Sequence, residues 1–179
     1  MIKLNIYQMY PILEGVERRI YDIDRPITIT RQYTVARETK PGWIVAAQVD
    51  ITGSDEDILI IRTHTKLGRQ VLITAMPKTL KRLGLVGLAS IQGSVLVNAD
   101  DEAGYYSMIL SPQNPIPYFA SESYPIEFII YPKTQTTING FSCELLIIED
   151  IEALINSLRN ILTIEVIKEL EKTLLPRFI

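Results

Sequence analysis

Few residues of this chain have side chains that could do chemistry, and they are scattered. His64 is the sole histidine and Cys143 the sole cysteine. A metal centre of the cupin kind needs several imidazoles on facing strands, so one histidine excludes it. A Cys–His or Ser–His–Asp site would have to use His64, which stands mid-strand between Arg62 and Lys66, two cations that disfavour protonated imidazole. His64 reads as an exposed strand residue. Cys143 sits in the apolar run from Phe141 to Ile148 without a base beside it, and reads as a small buried hydrophobe. A lone cysteine also excludes an internal disulfide framework and any multi-cysteine zinc or iron–sulfur site.

Carboxylates offer no better pattern. The turns Asp55-Glu56-Asp57 and Asp100-Asp101-Glu102 lack the spaced ligands and glycine of an EF-hand loop, and read as solvated turns. Paired carboxylates could hydrolyse a glycoside, but no pair stands out. Gly84-Leu85-Val86-Gly87 has the spacing of a KH-domain GXXG loop, yet its middle residues are apolar and the required helices are missing from its flanks. No Gly-x-x-x-x-Gly-Lys phosphate loop occurs. The sequence therefore assigns no catalytic, cofactor-binding or metal-ligating residue, and the expectation is a protein that is not an enzyme and needs no cofactor.

Charge is uneven, although the total is only −3. Between Ile58 and Ala99 stand Arg62, Lys66, Arg69, Lys78, Lys81 and Arg82, with no acid among them. Between Leu83 and Pro132 stand Asp100, Asp101, Glu102, Glu122 and Glu127, with no base. Arg62, His64 and Lys66 share a strand face by their spacing, with Arg69 just past the turn. The basic run at 62–82 reads as guard residues on an edge strand, as a polyanion contact, or as one half of a complementary subunit interface. Tyr118, Phe119 and Tyr124 lie in a stretch with prolines at 112, 115, 117 and 125, and either cap the core or anchor a neighbour. Tyr118, Phe119, Tyr124, Arg62, Lys66 and Arg69 are the candidate interface residues.

The elements that must carry these residues are mostly strands. The 179 residues include 28 Ile, 14 Thr and 9 Tyr but only 9 Ala, a balance that favours sheet. Ile2-Leu4-Ile6 and Ile27-Ile29-Arg31-Tyr33-Val35 alternate with polar residues. Further strands are expected at 18–23, 43–51, 57–65, 69–74, 91–98, 105–110, 126–131 and 141–148, with 57–65 and 69–74 as a hairpin and one helical turn at 79–83. The stretch 111–125 reads as a stiff loop. After Ile148 the period changes: Ile151, Ile155, Leu158, Leu162, Val166, Leu170 and Leu174 form a helix face, with a kink expected near Thr163 and a stop at Pro176.

The expected fold is mainly β, a single antiparallel sandwich of jelly-roll type over residues 1–148, with an amphipathic helix over 149–179 packed on it or on a neighbouring chain. No apolar run approaches the length of about 18 residues that spans a membrane, and the first residues lack the pattern of a signal peptide, so an intracellular or virion location is expected. The functional expectation is a self-associating building block, such as a virion (capsid) or shell component, whose partners are itself or other assembly subunits. The alternative is a monomeric module that binds carbohydrate or peptide through loops at one end.

Overall fold

Period-two alternation places an apolar row on each strand, and two antiparallel sheets bury those rows against each other. The computed structural model describes residues 10–65, 68–85, 95–112 and 114–161. The larger sheet holds β1 (Val16–Ile23), β2 (Ile27–Ile29), β4 (Gly42–Thr52), β7 (Val95–Asp100), β8 (Tyr105–Leu110), β9 (Ile116–Tyr118) and β11 (Thr136–Ile148). Its order is β1-β11-β4-β8-β7, with β2 also on β11 and β9 also on β4. The smaller sheet runs β3 (Tyr33–Glu38), β10 (Ile126–Tyr131), β5 (Ile58–Thr65), β6 (Gly68–Ala75). Between the sheets lies a core that includes Ile44, Val49, Ile51, Ile61, Phe128, Ile138 and Leu145.

Most expected strands occur within a residue or two of their expected bounds, including the β5–β6 hairpin, and the helical turn is α1 (Pro77–Arg82). Three differ. The run 27–35 is not one strand: β2 belongs to the larger sheet and β3 to the smaller. Residues 30–32 cross between layers, which lets Ile27 and Ile29 on one side and Tyr33 and Val35 on the other face the same core. The proline stretch contains β9, where Pro117 pairs with Trp43. Proline is tolerated there because, among the described residues, β9 pairs with β4 alone and has one side that needs no donor. Finally, β11 begins at Thr136, five residues early, and passes Asn139-Gly140 through an irregularity in its pairing with β4.

The helix begins where expected. In α2 (Ile151–Ile161), the Asp150 carboxylate caps the first turn by accepting from the Glu152 and Ala153 N–H groups at 2.9 and 3.0 Å. Leu154 and Leu158 close a small second core with Leu13 and Ile148, flanked by Val16, Trp43 and Ile151. This part of the helix therefore packs on its own sandwich. Gly15, at φ +73, lets its carbonyl accept the Glu149 and Asp150 N–H groups; a Cβ there would lie 2.1 Å from the Asp150 carbonyl oxygen. The alternation at 2–6, the start of the 91–98 strand, the helix beyond Ile161, the kink at Thr163 and the stop at Pro176 lie outside the described residues. Among the described residues no helix is long and apolar enough to cross a membrane.

Candidate interaction surface

The sandwich has two rims with different chemistry. One, the helix rim, carries the β3–β4 turn, the loop from Phe119 to Pro125 and the start of α2. The other, the clasp rim, carries the β4–β5 turn, α1 and the turns before β8 and β11.

At the helix rim the aromatic loop is folded tightly. Ser121 and Tyr124 exchange backbone hydrogen bonds of 3.0 Å each, closing a two-residue tip at Glu122-Ser123. The Thr63 hydroxyl donates to the Phe119 carbonyl at 2.5 Å, and the Thr39 hydroxyl to Glu122 at 3.3 Å, so β5 and the β3–β4 turn both hold the loop. Tyr124 is exposed, at 37%, and Phe119 is half-buried.

Tyr118 differs from its neighbours. As the last residue of β9 it points inward, is 2% exposed, and its hydroxyl finds no hydrogen-bond partner among the described residues. Burial first, and the Glu38 carboxylate second, push this phenol well above its ordinary range. It caps the core and is not available as an anchor.

Beside it lies a buried carboxylate that the sequence did not mark. Glu38, 3% exposed, accepts from Arg19 Nη1 at 2.8 Å, the Tyr21 hydroxyl at 2.7 Å, and the Thr39 and Lys40 N–H groups at 2.7 and 2.8 Å. Burial alone would raise its pKa. The bonds from Tyr21, Lys40 and Thr39 and the charge of Arg19 outweigh that and hold it below the usual carboxylate range. Tyr21 in turn is pushed up to about 12, by burial first and by its bond to Glu38 second. Arg19 also reaches Glu149 at 3.0 Å, and Lys40 pairs with the same carboxylate, so the network ties β1 and β3 to the root of α2.

The two charge runs meet inside the chain. Arg62 is buried, not displayed on an open strand face: its Nε donates to Glu127 at 3.0 Å and its Nη1 to the Tyr131 hydroxyl at 3.2 Å. The cause is register, since Arg62 and Glu127 are direct partners across β5 and β10. At the clasp rim Lys81 bridges Asp101 at 2.5 Å and Asp55 at 3.3 Å, and lies 5.2 Å from the centre of the Tyr106 ring. Lys78 and Lys133 both pair with Glu56. For these residues, the expectation that basic and acidic runs would meet across a subunit contact gives way to pairing within one chain. The side chains of His64, Lys66 and Arg69 lie outside the described residues.

Asp57, read as part of a solvated turn, is fully buried. Its carboxylate accepts from the Ser54 N–H at 3.0 Å, the Lys133 N–H at 2.7 Å and the Thr136 hydroxyl at 2.7 Å. It clasps the β4–β5 turn to the start of β11. Cys143 is buried as expected, and burial first, then Glu144, push its thiol far above its ordinary range. Among the described residues no three His, Cys, Asp or Glu side chains converge as metal ligands would. In the sequence, the only trace of the Glu38 network is the spacing of Arg19 and Tyr21, which puts them on one face of β1; nothing there marks Glu38 as their partner.

The sequence matches no protein-family model and no curated protein. Among solved structures it is similar to a chain from the structure of the infectious bursal disease virus Gx strain, 12% identical over 76% of this chain, at a TM-score of 0.22. This chain spans 41% of that one's length. A similarity at that level says nothing of a shared fold or role.

Proposed function

We propose that this chain is a non-enzymatic structural protein, a self-associating β-sandwich building block of a larger assembly of the virion or shell kind. The observation that carries the reading is Tyr124 on its tied loop: an exposed aromatic residue held in one backbone conformation loses little entropy when it is buried against a partner. Half-buried Phe119, in the same loop, widens that contact. The Cys143 thiol is buried and the Arg62 and Lys81 charges are paired within the fold, which suits a component built to hold its shape.

The test is light scattering of the wild-type protein across concentration, beside Tyr124→Ala and Phe119→Ala. Self-association weakened by either variant is the expected result. A wild-type protein that stays monomeric at every concentration would remove this reading and favour a monomeric module that binds carbohydrate or peptide through the same loop.

A further inference from the structure

An open sheet edge is a row of unpaired backbone donors and acceptors, and proteins usually blunt such edges. Three of the long described edges are blunted here. In β3 the pairing with β10 skips Val35, and in β6 the pairing with β5 skips Leu72, so both edges of the smaller sheet carry a bulge. On the free side of β7, the Val97 N–H is already bonded to the Leu85 carbonyl at 2.9 Å. The fourth edge, β1, is different. Its eight residues pair with β11 in unbroken register, and no described strand lies on its other side.

The side chains of β1 have a matching peculiarity. Tyr21 and Ile23 pack toward the core, which leaves Arg18, Ile20 and Asp22 on the outward face. All three are exposed, Ile20 at 52%. Read along the strand they are cation, apolar residue, anion. That order is self-complementary when the strand meets a reversed copy of itself.

We propose that two copies join along β1, antiparallel across a two-fold axis at Ile20, so that the larger sheet runs through both. This rests on the self-association reading and names a surface for it. The axis sets Ile20 against Ile20 of the second copy, and each Arg18 opposite an Asp22. Opposed residues share a face in an antiparallel pair, so all three contacts fall on the outward side. Moving the axis one residue either way sets Ile20 against Arg18 or Asp22. Arg18 already donates to Glu144 at 2.6 Å, but a guanidinium has five donors and can hold two carboxylates. An eight-residue edge is a small contact, so one such pairing is weak and gains strength only when several contacts act together.

The experiment uses charge reversal with a mixing arm, read by sedimentation or light scattering over a concentration series. Asp22→Arg places cations opposite cations; Arg18→Asp with Glu144→Gln places anions opposite anions, without a like-charge clash against β11. Each alone should raise the dissociation constant by at least about tenfold, and an equimolar mixture should restore association because its strands are complementary again. Ile20→Cys should give disulfide-linked dimers under mild oxidation, and serves in place of a reversal variant that fails to fold. A wild-type protein that is monomeric throughout would overturn both this pairing and the assembly reading. Association of Asp22→Arg with wild-type strength would overturn the β1 pairing alone. Loss in both variants without recovery on mixing would overturn the register.

Discussion

The two rims of the sandwich each bury a carboxylate, and they neutralise it differently. At the clasp rim Asp57 is surrounded by neutral donors, two backbone N–H groups and one hydroxyl. At the helix rim Glu38 has a guanidinium, a phenol and two backbone N–H groups. Asp57 acts locally, fastening two turns that strand pairing alone would leave loose. Glu38 joins three elements far apart in sequence: β1, the turn after β3 and, through Arg19, the root of the helix. Around Asp57 the remaining charges pair among themselves, Lys78 and Lys133 with Glu56 and Lys81 with Asp55 and Asp101. Around Glu38 the charges belong to its own network, through Arg19 to Glu149, which Lys40 also pairs. One rim satisfies its buried acid with neutral donors, and the other pairs it with a cation.

The two carboxylates should therefore fail differently. Asp57→Ala strands three donors in the interior and is expected to cost about 3–4 kcal/mol, the largest effect of any single change considered for this chain. Urea denaturation should show it as a lowered midpoint with an unchanged slope. Asp57→Ala within about 1 kcal/mol of wild type would mean that strand pairing holds the rim without the clasp.

Glu38→Gln should cost less, about 2 kcal/mol, because the amide oxygen still accepts from the backbone while the pairing with Arg19 is lost. Its signature is pH dependence. The folded carboxyl titrates below its ordinary value of 4.5, so its contribution is fully present above that pH and is lost as pH falls through the lower folded value. Wild-type stability should therefore drop more steeply than that of Glu38→Gln as pH is lowered from 5 toward 3. Parallel curves for the two proteins would show that Glu38 is not the acid-sensitive group.

How much of this was legible in the sequence follows from the range of each interaction. Strand alternation and the helix period are local, so β8, β10 and the start of α2 could be read directly. Pairing partners are not local. Arg62 and Glu127 are opposite each other because β5 and β10 are neighbours, and no spacing rule links positions so far apart. The same blindness makes Asp57 look like one more exposed acid in a turn, since Lys133 and Thr136 reach it from more than seventy residues further along the chain. For Tyr118 the sequence leaves capping and anchoring both open, because a proline-rich stretch reads as loop throughout; three residues of that stretch pair with β4 and turn one phenol inward, which selects capping.

That phenol gives the next prediction. A buried hydroxyl without a partner is a cost to folding, so Tyr118→Phe should stabilise the protein by about 1 kcal/mol. The gain should appear as a raised urea midpoint at unchanged slope. A loss of stability would show that the hydroxyl does find a partner, and would add one more polar link to the network around Glu38.

The smallest effect should come from the most conspicuous charge cluster. Lys81 touches two carboxylates and an aromatic ring, yet the Asp101 side chain is mostly solvent-exposed, and solvent weakens such a pairing. Lys81→Ala is expected to change stability by no more than about 0.5–1 kcal/mol, and the difference should shrink as salt is raised toward 1 M, where the screening length falls to about 3 Å. The Glu38 contribution, being buried, should change much less over the same salt range. Equal salt sensitivity at Lys81 and Glu38 would erase the distinction between the rims. A salt-resistant loss at Lys81 would instead assign its effect to the partial burial of its aliphatic stem, which ions do not screen.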